Sequence, residues 1–381
     1  MNCYIFGAGK RGQLLKNRLE QMRFEILGYI DSSTEKIGKI ITGIPCNSVE
    51  EVCRNKKSEL IFISPEDDDG LEEMLNQHFE VVINKTLTDM FIKMSPAIYG
   101  YDNFYPIGHY YSLYPDLDDV METKDKTVCG SDEAEVLAVN LNANVQLNML
   151  YEMQKAYDLL PGWVHIDSNS ESKYRYRIGN LSLSNGDAVG LFSMLSILSP
   201  GKIIEVGSGW TSAILLDLNE FFWGGSKKIS FVEPYPDNLK KIVKPEDSIE
   251  LIEKPLQKVP LSFFQSLDEG DVLFIDSTHV SKYGSDVNYL FFEILPRLKK
   301  GVIIHLHDIF YPFDYPHRWI KSGMVWNEDY LLRAFLQYNS EFEILYFQNY
   351  LEKFHRDVFL DNWPLEDKNI HGGSFWMKKC K

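Results

Sequence analysis

The chain has 381 residues, of which 44% are hydrophobic and 25% charged, and it carries a formal net charge of −16. These values are typical of a folded protein with two or three domains, and the acidic balance disfavours nucleic acid and anionic membrane surfaces as partners. No apolar run in the sequence is long enough to span a bilayer, and five cysteines without a CxxC pair predict a cytoplasmic protein with reduced thiols.

The first 95 residues predict strands that alternate with helices, which is the pattern of a parallel, doubly wound α/β sheet. Gly7, Gly9 and Gly12 follow the first strand in a G-x-G-x-x-G spacing, and Asp31 ends the second strand, EILGYID. Glycines let a phosphate approach the backbone, and an acidic residue at the second strand end can bind ribose hydroxyls. We therefore predict a Rossmann-like nucleotide-binding domain over residues 1–95, with a ligand-free structural domain as the alternative.

Residues 96–180 interrupt this alternation. The stretch SPAIYGYDNFYPIGHYYSLYPDLDDV is dominated by tyrosine, glycine, proline and aspartate, and its periodicity is poor. A helical pattern follows it. We interpret this part of the chain as an aromatic linker with a helical segment.

A second α/β alternation occupies residues 181–381. The strand KIIEV contains Glu205 and leads into a turn with Gly207, Ser208 and Gly209. Four more strands follow: KKISFVE, SIELIEKP, GDVLFID and KGVIIHLHD. The last two strands, FEILYFQNY and GGSFWMKK, have no predicted helix between them, so we expect them to pair as a reversed hairpin at the end of a seven-stranded sheet.

Three acidic residues lie at or near strand ends in this second half: Glu205, Glu233 and Asp276. Their order, with the glycine turn and the reversed hairpin, resembles the class I S-adenosylmethionine-dependent methyltransferases. The resemblance covers roughly residues 180–380 and implies S-adenosylmethionine as the cofactor. By it, Glu205, Gly207, Ser208 and Gly209 would hold the methionine part, Glu233 the ribose and Gln257 the adenine, with Asp276 at the same edge.

Histidines and carboxylates cluster after the fourth and fifth strands of this half. Asp276 and His279 follow one strand, and His307 and Asp308 follow the next, so all four should meet at one edge of the sheet. The layout resembles the branch of the superfamily that methylates hydroxyls of sugars and natural products. That resemblance implies a divalent metal at Asp276 and Asp308. His307 stands where the branch has a second carboxylate, which disfavours Mg²⁺ because this ion prefers oxygen ligands.

Methyl transfer to an alcohol needs a group that removes the hydroxyl proton. A histidine with a pKa near neutrality suits this role, and a bound metal would lower the pKa of the hydroxyl instead. We predict His279 as the first choice of base and His307 as the second, with Asp276 as the third catalytic residue. The alternative for Asp276 and Asp308 is that they orient the cofactor or the histidines by hydrogen bonding.

The run GYIDSS…KIGKIITGIPCNSVEEV resembles the N-terminal domain of nucleotide-sugar acetyltransferases, which implies a nucleotide or nucleotide sugar as its ligand. The whole sequence therefore predicts an S-adenosylmethionine-dependent O-methyltransferase. Its expected acceptor is a small-molecule or sugar-linked substrate such as a glycan precursor, and a homo-oligomer is one expected state. Two alternatives stay open: an NAD(P)-dependent sugar oxidoreductase that uses the first glycine turn, and a non-catalytic nucleotide-binding protein.

Overall fold

The structure, a computed structural model, describes residues 2–22, 24–54, 59–65, 70–83, 85, 87–89, 112–116, 120, 134–180, 182–366 and 368–381. Most of the predicted aromatic linker lies outside these residues. The chain divides into two compact units, Met1–Pro106 and Ile107–Lys381. Each unit is of the mixed α/β type and has its own sheet.

The first unit contains a six-stranded sheet in the order β3-β4-β2-β1-β5-β6. All of its strand pairs are parallel except β3 with β4. Its strands are β1 (Asn2–Phe6), β2 (Glu25–Ile30), β3 (Ile40–Ile41), β4 (Ile44–Asn47), β5 (Leu60–Ile63) and β6 (Val81–Ile83). The helices described in this unit are α1 (Lys10–Gln21), α2 (Val49–Cys53) and α3 (Leu71–Asn76).

The glycine turn between β1 and α1 has little free space at two of its three glycines. Gly7 has a φ of +94°, and a Cβ on Gly12 would lie 1.8 Å from the carbonyl oxygen of Gly7. Helix α1 therefore starts tightly against the end of β1, which only glycine permits at these two positions. Gly9 has no atom within 4 Å of a built Cβ, so its side faces open space.

The second unit contains a seven-stranded sheet in the order β12-β13-β11-β10-β7-β8-β9. Strands β7 to β11 are parallel, and β13 runs antiparallel to both β11 and β12. These strands are β7 (Lys202–Val206), β8 (Lys228–Val232), β9 (Ile249–Ile252), β10 (Val272–Ile275), β11 (Ile303–Leu306), β12 (Phe342–Phe347) and β13 (Phe375–Lys379).

Helices cover the second sheet, and they bury β10 and β11 along their whole length. Strands buried on both faces need a nearly continuous apolar sequence, which β10 shows throughout and β11 shows except at His305. The described α-helices are α4 (Ala143–Gln154), α5 (Asn185–Leu198), α6 (Trp210–Phe221), α7 (Asp237–Ile242), α8 (Leu261–Phe264), α9 (Asp286–Tyr289), α10 (His317–Lys321), α11 (Glu328–Leu336), α12 (Gln348–Phe354) and α13 (Arg356–Leu360). Short 3-10 turns lie at Tyr157–Leu159, Leu256–Lys258 and Leu295–Arg297, and a π-helical turn at Leu290–Ile294.

The reversed strand at the end of the second sheet agrees with the prediction, but the connection before it was predicted wrongly. The chain leaves β12 at Phe347 and forms α12 and α13 before it returns in β13. The apolar and aromatic run FEILYFQNY predicts a strand throughout, but its last three residues begin a helix. Among the described helices we find none whose length and apolar character would let it cross a membrane.

Candidate active site

The glycine turn after β7 is locked to the end of β10. Gly207 has a φ of +84°, and a Cβ at this position would lie 1.8 Å from the carbonyl oxygen of Asp276. The Asp276 N–H donates to the carbonyl of Val206 at 2.9 Å, and the Gly207 N–H donates to Val232 at 3.1 Å. The backbone therefore brings the predicted donor turn and the predicted catalytic edge within direct contact.

Glu205 faces into the turn and holds its shape. Its side chain is fully buried, and its two oxygens accept hydrogen bonds from Thr211 Oγ1 at 2.5 Å and Ser212 Oγ at 2.7 Å. Burial raises the pKa of Glu205 to about 8, although the two hydroxyls oppose that rise. Both carboxylate oxygens are thus engaged with the first turn of α6, next to the glycines.

Ser208 and Glu233, two of the residues predicted to hold the methyl donor, meet directly. Ser208 Oγ donates to Glu233 Oε2 at 3.0 Å, and the N–H of Tyr235 donates to Glu233 Oε1 at 2.8 Å. Glu233 is half-buried at the end of β8. The hydrogen bond joins the glycine turn to the position where a ribose would be bound.

Gln257 lies in the short 3-10 turn that follows β9. Its Nε2 donates to the carbonyl of Gly284 at 2.7 Å. Gln257 and Gly284 also line an open groove of about 610 Å³. The predicted adenine region is therefore accessible from solvent.

Trp210, the first residue of α6, packs edge-on against Tyr176 with ring centroids 6.0 Å apart. Tyr176 is completely buried and also contacts Trp163. The segment before it is fixed by Arg175, whose guanidinium pairs with Asp217 at 3.0 Å. Tyr176 thus anchors this segment against the start of α6.

His279 stands between three carboxylates. Its Nε2 is 3.3 Å from Asp276 Oδ1 and 3.7 Å from Asp308 Oδ2, and its Nδ1 is 2.8 Å from Glu328 Oε2. The His279 side chain is only 5% exposed, whereas those of Asp276 and Asp308 are 32% and 21% exposed. The two aspartates therefore face the open edge of the sheet, with the imidazole behind them.

The carboxylates and histidines of this cluster shift one another's pKa values toward their charged forms. Burial alone would lower the pKa of His279, but the carboxylates of Asp276 and Glu328 outweigh it and raise that pKa well above its usual value. Burial likewise would raise the pKa of Asp276, but His307 and His279 lower it to about 2. The carboxylates around His279 therefore favour its protonated form.

His307 is turned away from the open edge. Its Nδ1 lies 3.3 Å from Asp308 Oδ1, and its Nε2 lies 3.7 Å from Asp187 Oδ2. Burial opposes a charge on this ring, yet the neighbouring Asp308 and Asp187 raise the pKa of His307 to about 10. The geometry brings His307 into the cluster as a buried cation, and neither ring nitrogen is directed at the exposed faces of Asp276 and Asp308.

His305 does not join the cluster as a polar group. It stacks on Phe274 with ring centroids 4.0 Å apart and is completely buried. Burial and the charge on His307 hold the pKa of His305 well below its usual value. Its role in the fold is that of a neutral core residue.

The backbone at the cluster is strained. His279 has a φ of +57° and Asp308 a φ of +58°, which L-residues rarely adopt. Each such residue costs about 1–3 kcal/mol, and strain of this kind is concentrated at functional sites. At Asp308 the neighbouring backbone of Gly373 is so close that a Cβ there would lie 2.8 Å from the Asp308 Cα.

An aromatic wall borders the cluster, formed by Trp326, Trp319 and Tyr315 from the segment after β11. Trp326 stacks on His279 with ring centroids 4.4 Å apart, and Trp319 meets Trp326 edge-on at 5.2 Å. Tyr315 stacks near Trp319 at 6.2 Å. Trp326 and Trp319 are half-buried, so part of each ring is accessible.

In the first unit, the predicted nucleotide residues are also brought together. Asp31 Oδ2 accepts the N–H of Ala8 at 2.9 Å and contacts Lys36 Nζ at 2.9 Å, while Asp31 Oδ1 accepts the N–H of Ser33. Burial raises the pKa of Asp31, but these hydrogen bonds outweigh it and lower that pKa. Asp31 therefore braces the turn that contains Gly7, Gly9 and Gly12.

Two residues of the site were missed by sequence reasoning. Glu328 lies two residues after Trp326 and 49 positions from His279, and no local spacing links it to that histidine. Asp187 lies in the helix start SNGD, where Ser184 Oγ accepts the N–H of Asp187 at 2.9 Å. That capping pattern predicts a helix start and gives no sign of a contact with His307.

Comparison with known proteins agrees with this geometry. A family model described as a methyltransferase domain matches residues 204–309, which run from the glycine turn to the end of the His/Asp cluster. An uncharacterized protein of Archaeoglobus fulgidus is 30% identical over 197 residues, which are 51% of this chain and 88% of that protein. The chain belongs to the same family as this archaeal protein, and its second unit carries a methyltransferase domain.

Two solved methyltransferase structures have a remote likeness to this chain. The Podospora anserina methyltransferase PaMTH1 bound to S-adenosylhomocysteine (SAH) is 15% identical, with a TM-score of 0.35, over 61% of this chain and 88% of that one. The plantazolicin methyltransferase BamL with SAH is 9% identical, with a TM-score of 0.35, over 64% of this chain and 100% of that one.

The residues that the family model matches lie in the second unit, whose seven-stranded sheet they partly form. They are a methyltransferase domain. This confirms the predicted methyltransferase, and nothing in the family match supports the oxidoreductase alternative.

Proposed function

We propose that the protein transfers a methyl group from S-adenosylmethionine to a hydroxyl of a small polar acceptor, with a sugar or sugar-linked molecule as the acceptor class. The observation that carries this proposal is the cluster of Asp276, His279 and Asp308. The backbone of Asp276 in this cluster contacts that of Gly207 in the donor turn. Transfer to oxygen needs the donor and a proton acceptor at the same edge of the sheet.

The methyl donor would lie over the turn of Gly207, Ser208 and Gly209. Gly209 has no atom within 4 Å of a built Cβ, so its backbone can be approached closely. Glu233 would accept hydrogen bonds from the ribose hydroxyls in exchange for the one from Ser208, and Gln257 would lie beside the adenine. Glu205 would keep the turn in shape through Thr211 and Ser212.

The acceptor hydroxyl would lie at the exposed faces of Asp276 and Asp308. His279 is the residue on which its activation depends, in one of two ways. In the first, ligand binding lowers the pKa that the carboxylates raise, and Nε2 of the neutral ring accepts the hydroxyl proton; in the second, Nε2 and the two carboxylates hold a divalent cation. Three donor atoms within 4.8 Å of one another fit such a cation. A bound cation would lower the pKa of the hydroxyl.

The aromatic wall supports a sugar-like acceptor. Trp326 and Trp319 offer partly exposed ring faces next to His279, and Trp326 is held in place by its stack on that histidine. A ring-shaped acceptor could pack its apolar face on this wall while its hydroxyls face the carboxylates.

The first unit is proposed to bind a nucleotide or the nucleotide part of a sugar donor at Gly7, Gly9 and Gly12. The open side of Gly9 and the position of Lys36 beside the turn favour a phosphate group there. The test is calorimetric titration of UDP into the full chain and into Gly9→Ala. Binding that is lost in the variant supports the proposal, and equal binding contradicts it.

The test of the activity uses the full chain with S-adenosylmethionine that carries an isotopically labelled methyl group. Purified monosaccharides, UDP-sugars, an amino sugar and a small thiol serve as acceptors, with and without added Mn²⁺. A labelled, base-stable methyl ether on an acceptor supports O-methylation. Transfer only to amine or thiol acceptors would contradict it.

A further inference from the structure

Helix α10 places two cations at the end of the aromatic wall. Trp319 lies in the middle of this helix and meets Trp326 edge-on at 5.2 Å, and Trp326 in turn stacks on His279 at 4.4 Å. Arg318 and Lys321 lie on either side of Trp319 in the same helix, and both are exposed. Residues three apart on a helix share a face, so the two cations lie side by side.

Arg318 differs from the other five arginines of the second unit, each of which interacts with a neighbouring group. Four of those five donate to carboxylates or to a backbone carbonyl: Arg175, Arg177, Arg297 and Arg356. Among the residues that the structure describes, the side chains of Arg318 and Lys321 have no hydrogen-bond or ion-pair partner. Like charges at this spacing repel, and an anion bound between them would relieve the repulsion.

The carboxylates nearest in sequence to these cations are engaged elsewhere. Asp314 is 9% exposed and accepts a hydrogen bond from the Tyr330 hydroxyl at 2.7 Å. Glu328 contacts His279, and Asp329 is completely buried. The two cations are therefore available to an anionic group of a ligand, in a chain whose net charge is −16.

An arginine beside a lysine suits a phosphate group. The planar guanidinium can donate two parallel hydrogen bonds to phosphate oxygens, and the ammonium adds a point charge. The aromatic wall connects these cations to the His/Asp cluster through Trp319 and Trp326. A sugar ring packed on the wall would therefore have its reacting hydroxyl at one end and its phosphate at the other.

We propose that the acceptor is a sugar that carries a phosphate group, either as a sugar phosphate or in a nucleotide-linked sugar, and that Arg318 and Lys321 bind this phosphate. The inference rests on the proposed function, because it names the class of acceptor that would lie on the aromatic wall. The two side chains bind the acceptor and take no part in the transfer of the methyl group.

The direct test is fluorine NMR of the full chain with fluorotryptophan in place of tryptophan. The Trp319 signal is identified by its loss in Trp319→Phe. We expect inorganic pyrophosphate to shift this signal saturably in the wild-type chain, and the double variant Arg318→Gln/Lys321→Gln to lose the shift. A wild-type chain without a saturable shift would overturn the proposal, and so would an equal shift in the double variant. Because the signal belongs to Trp319, it reports on α10 and not on the glycine turn of the first unit.

The matched control is Arg297→Gln/Lys300→Gln, which removes the same two charges at the same spacing. Arg297 pairs with Glu293 at 2.8 Å, and Lys300 is exposed, so this variant should keep the pyrophosphate response of the wild-type chain. Loss of the response in the control as well would contradict the proposal, because net charge and not the pair on α10 would then determine binding.

Titration of glucose, glucose 1-phosphate and UDP-glucose against the same signal distinguishes the two forms of acceptor. We expect at least one of the phosphate-bearing sugars to bind at least about 10-fold more tightly than glucose, since hydrogen bonds to charged groups are the stronger ones. The tighter of the two identifies the sugar phosphate or the nucleotide-linked sugar as the acceptor form. Equal affinities for all three would contradict the proposal.

Failure of this inference is distinct from failure of the proposed function. A chain that methylates unphosphorylated sugars and shows no pyrophosphate response at Trp319 keeps the function and loses the phosphate site. A chain that binds pyrophosphate through Arg318 and Lys321 but transfers no methyl group to a hydroxyl keeps the phosphate site and loses the function.

Discussion

The hydroxyl of Ser208 donates to a carboxylate oxygen of Glu233 at 3.0 Å, and this hydrogen bond links the glycine turn to the end of β8. Both residues were predicted to hold the methyl donor, one at its methionine part and one at its ribose. The bond keeps Glu233 aimed at the turn before any ligand arrives. The ribose hydroxyls would donate to a carboxylate that is already in position, so less conformational entropy is lost when the methyl donor binds.

Replacement of Gly209 should separate donor binding from stability. Gly209 has an extended φ of −175° and free space around a built Cβ, so Gly209→Ala should leave the melting temperature unchanged. The new methyl group would occupy the space that the donor needs, and SAH binding should weaken at least about 10-fold, or about 1.4 kcal/mol. Calorimetry and thermal melting measure the two effects.

The matched control is Gly162→Ala, which also has open space around its Cβ but lies outside the turn. It should change neither quantity. SAH affinity in Gly209→Ala equal to that in Gly162→Ala would place the donor elsewhere.

Gly207→Ala should affect the fold itself. The alanine would have to adopt a φ of +84° with its Cβ 1.8 Å from the Asp276 carbonyl oxygen. We expect a loss of at least about 1–3 kcal/mol in the free energy of unfolding, because the backbone at β7 or β10 must shift. Denaturant unfolding measures it, and a variant as stable as the wild-type protein would show that the turn does not have this geometry.

Removal of the cluster imidazole should lower turnover without loss of the donor. His279→Ala leaves the glycine turn intact, so SAH should bind as before, while methyl transfer should fall about 10²- to 10⁴-fold. His78, exposed in the first unit, provides the control His78→Ala. Full activity of His279→Ala would show that the cluster does not activate the acceptor.

The buried Glu205 predicts a pH dependence of stability. Its pKa is raised to about 8 in the folded chain, above the value of about 4.5 expected for an unfolded chain. Between pH 4.5 and 8, the folded state therefore binds more protons than the unfolded state. The contribution of Glu205 to stability is fully present below pH 4.5 and is lost as the pH rises toward 8. Glu205→Gln should flatten this part of the profile of melting temperature against pH.

A profile of Glu205→Gln that runs parallel to that of the wild-type protein between pH 5 and 8 would contradict this role. Glu250→Gln is the matched control. Glu250 is exposed and accepts a hydrogen bond from Ser230 on the neighbouring strand, so the profile of its variant should follow that of the wild type.

The strands of the second sheet could be predicted because their apolar runs are continuous and end in polar residues. Asp276, His279 and Asp308 came together as expected, since the carboxyl ends of adjacent parallel strands share an edge. Glu328 could not be predicted, because it reaches His279 across 49 positions and through a turn whose path the sequence does not specify. The orientation of His307 toward Asp187 depends on packing of α5 in the same way.

The most direct measurement of the central claim is calorimetric titration of SAH and of NAD⁺ into the full chain and into Glu233→Ala. The account predicts that SAH binds the wild-type chain with one site and at least about 10-fold more weakly to the variant, while the exposed control Glu253→Ala binds as the wild type does. Absence of SAH binding by the wild-type chain would contradict a methyl-donor site at the central glycine turn. Equal SAH affinities of the wild-type chain and Glu233→Ala would contradict it as well.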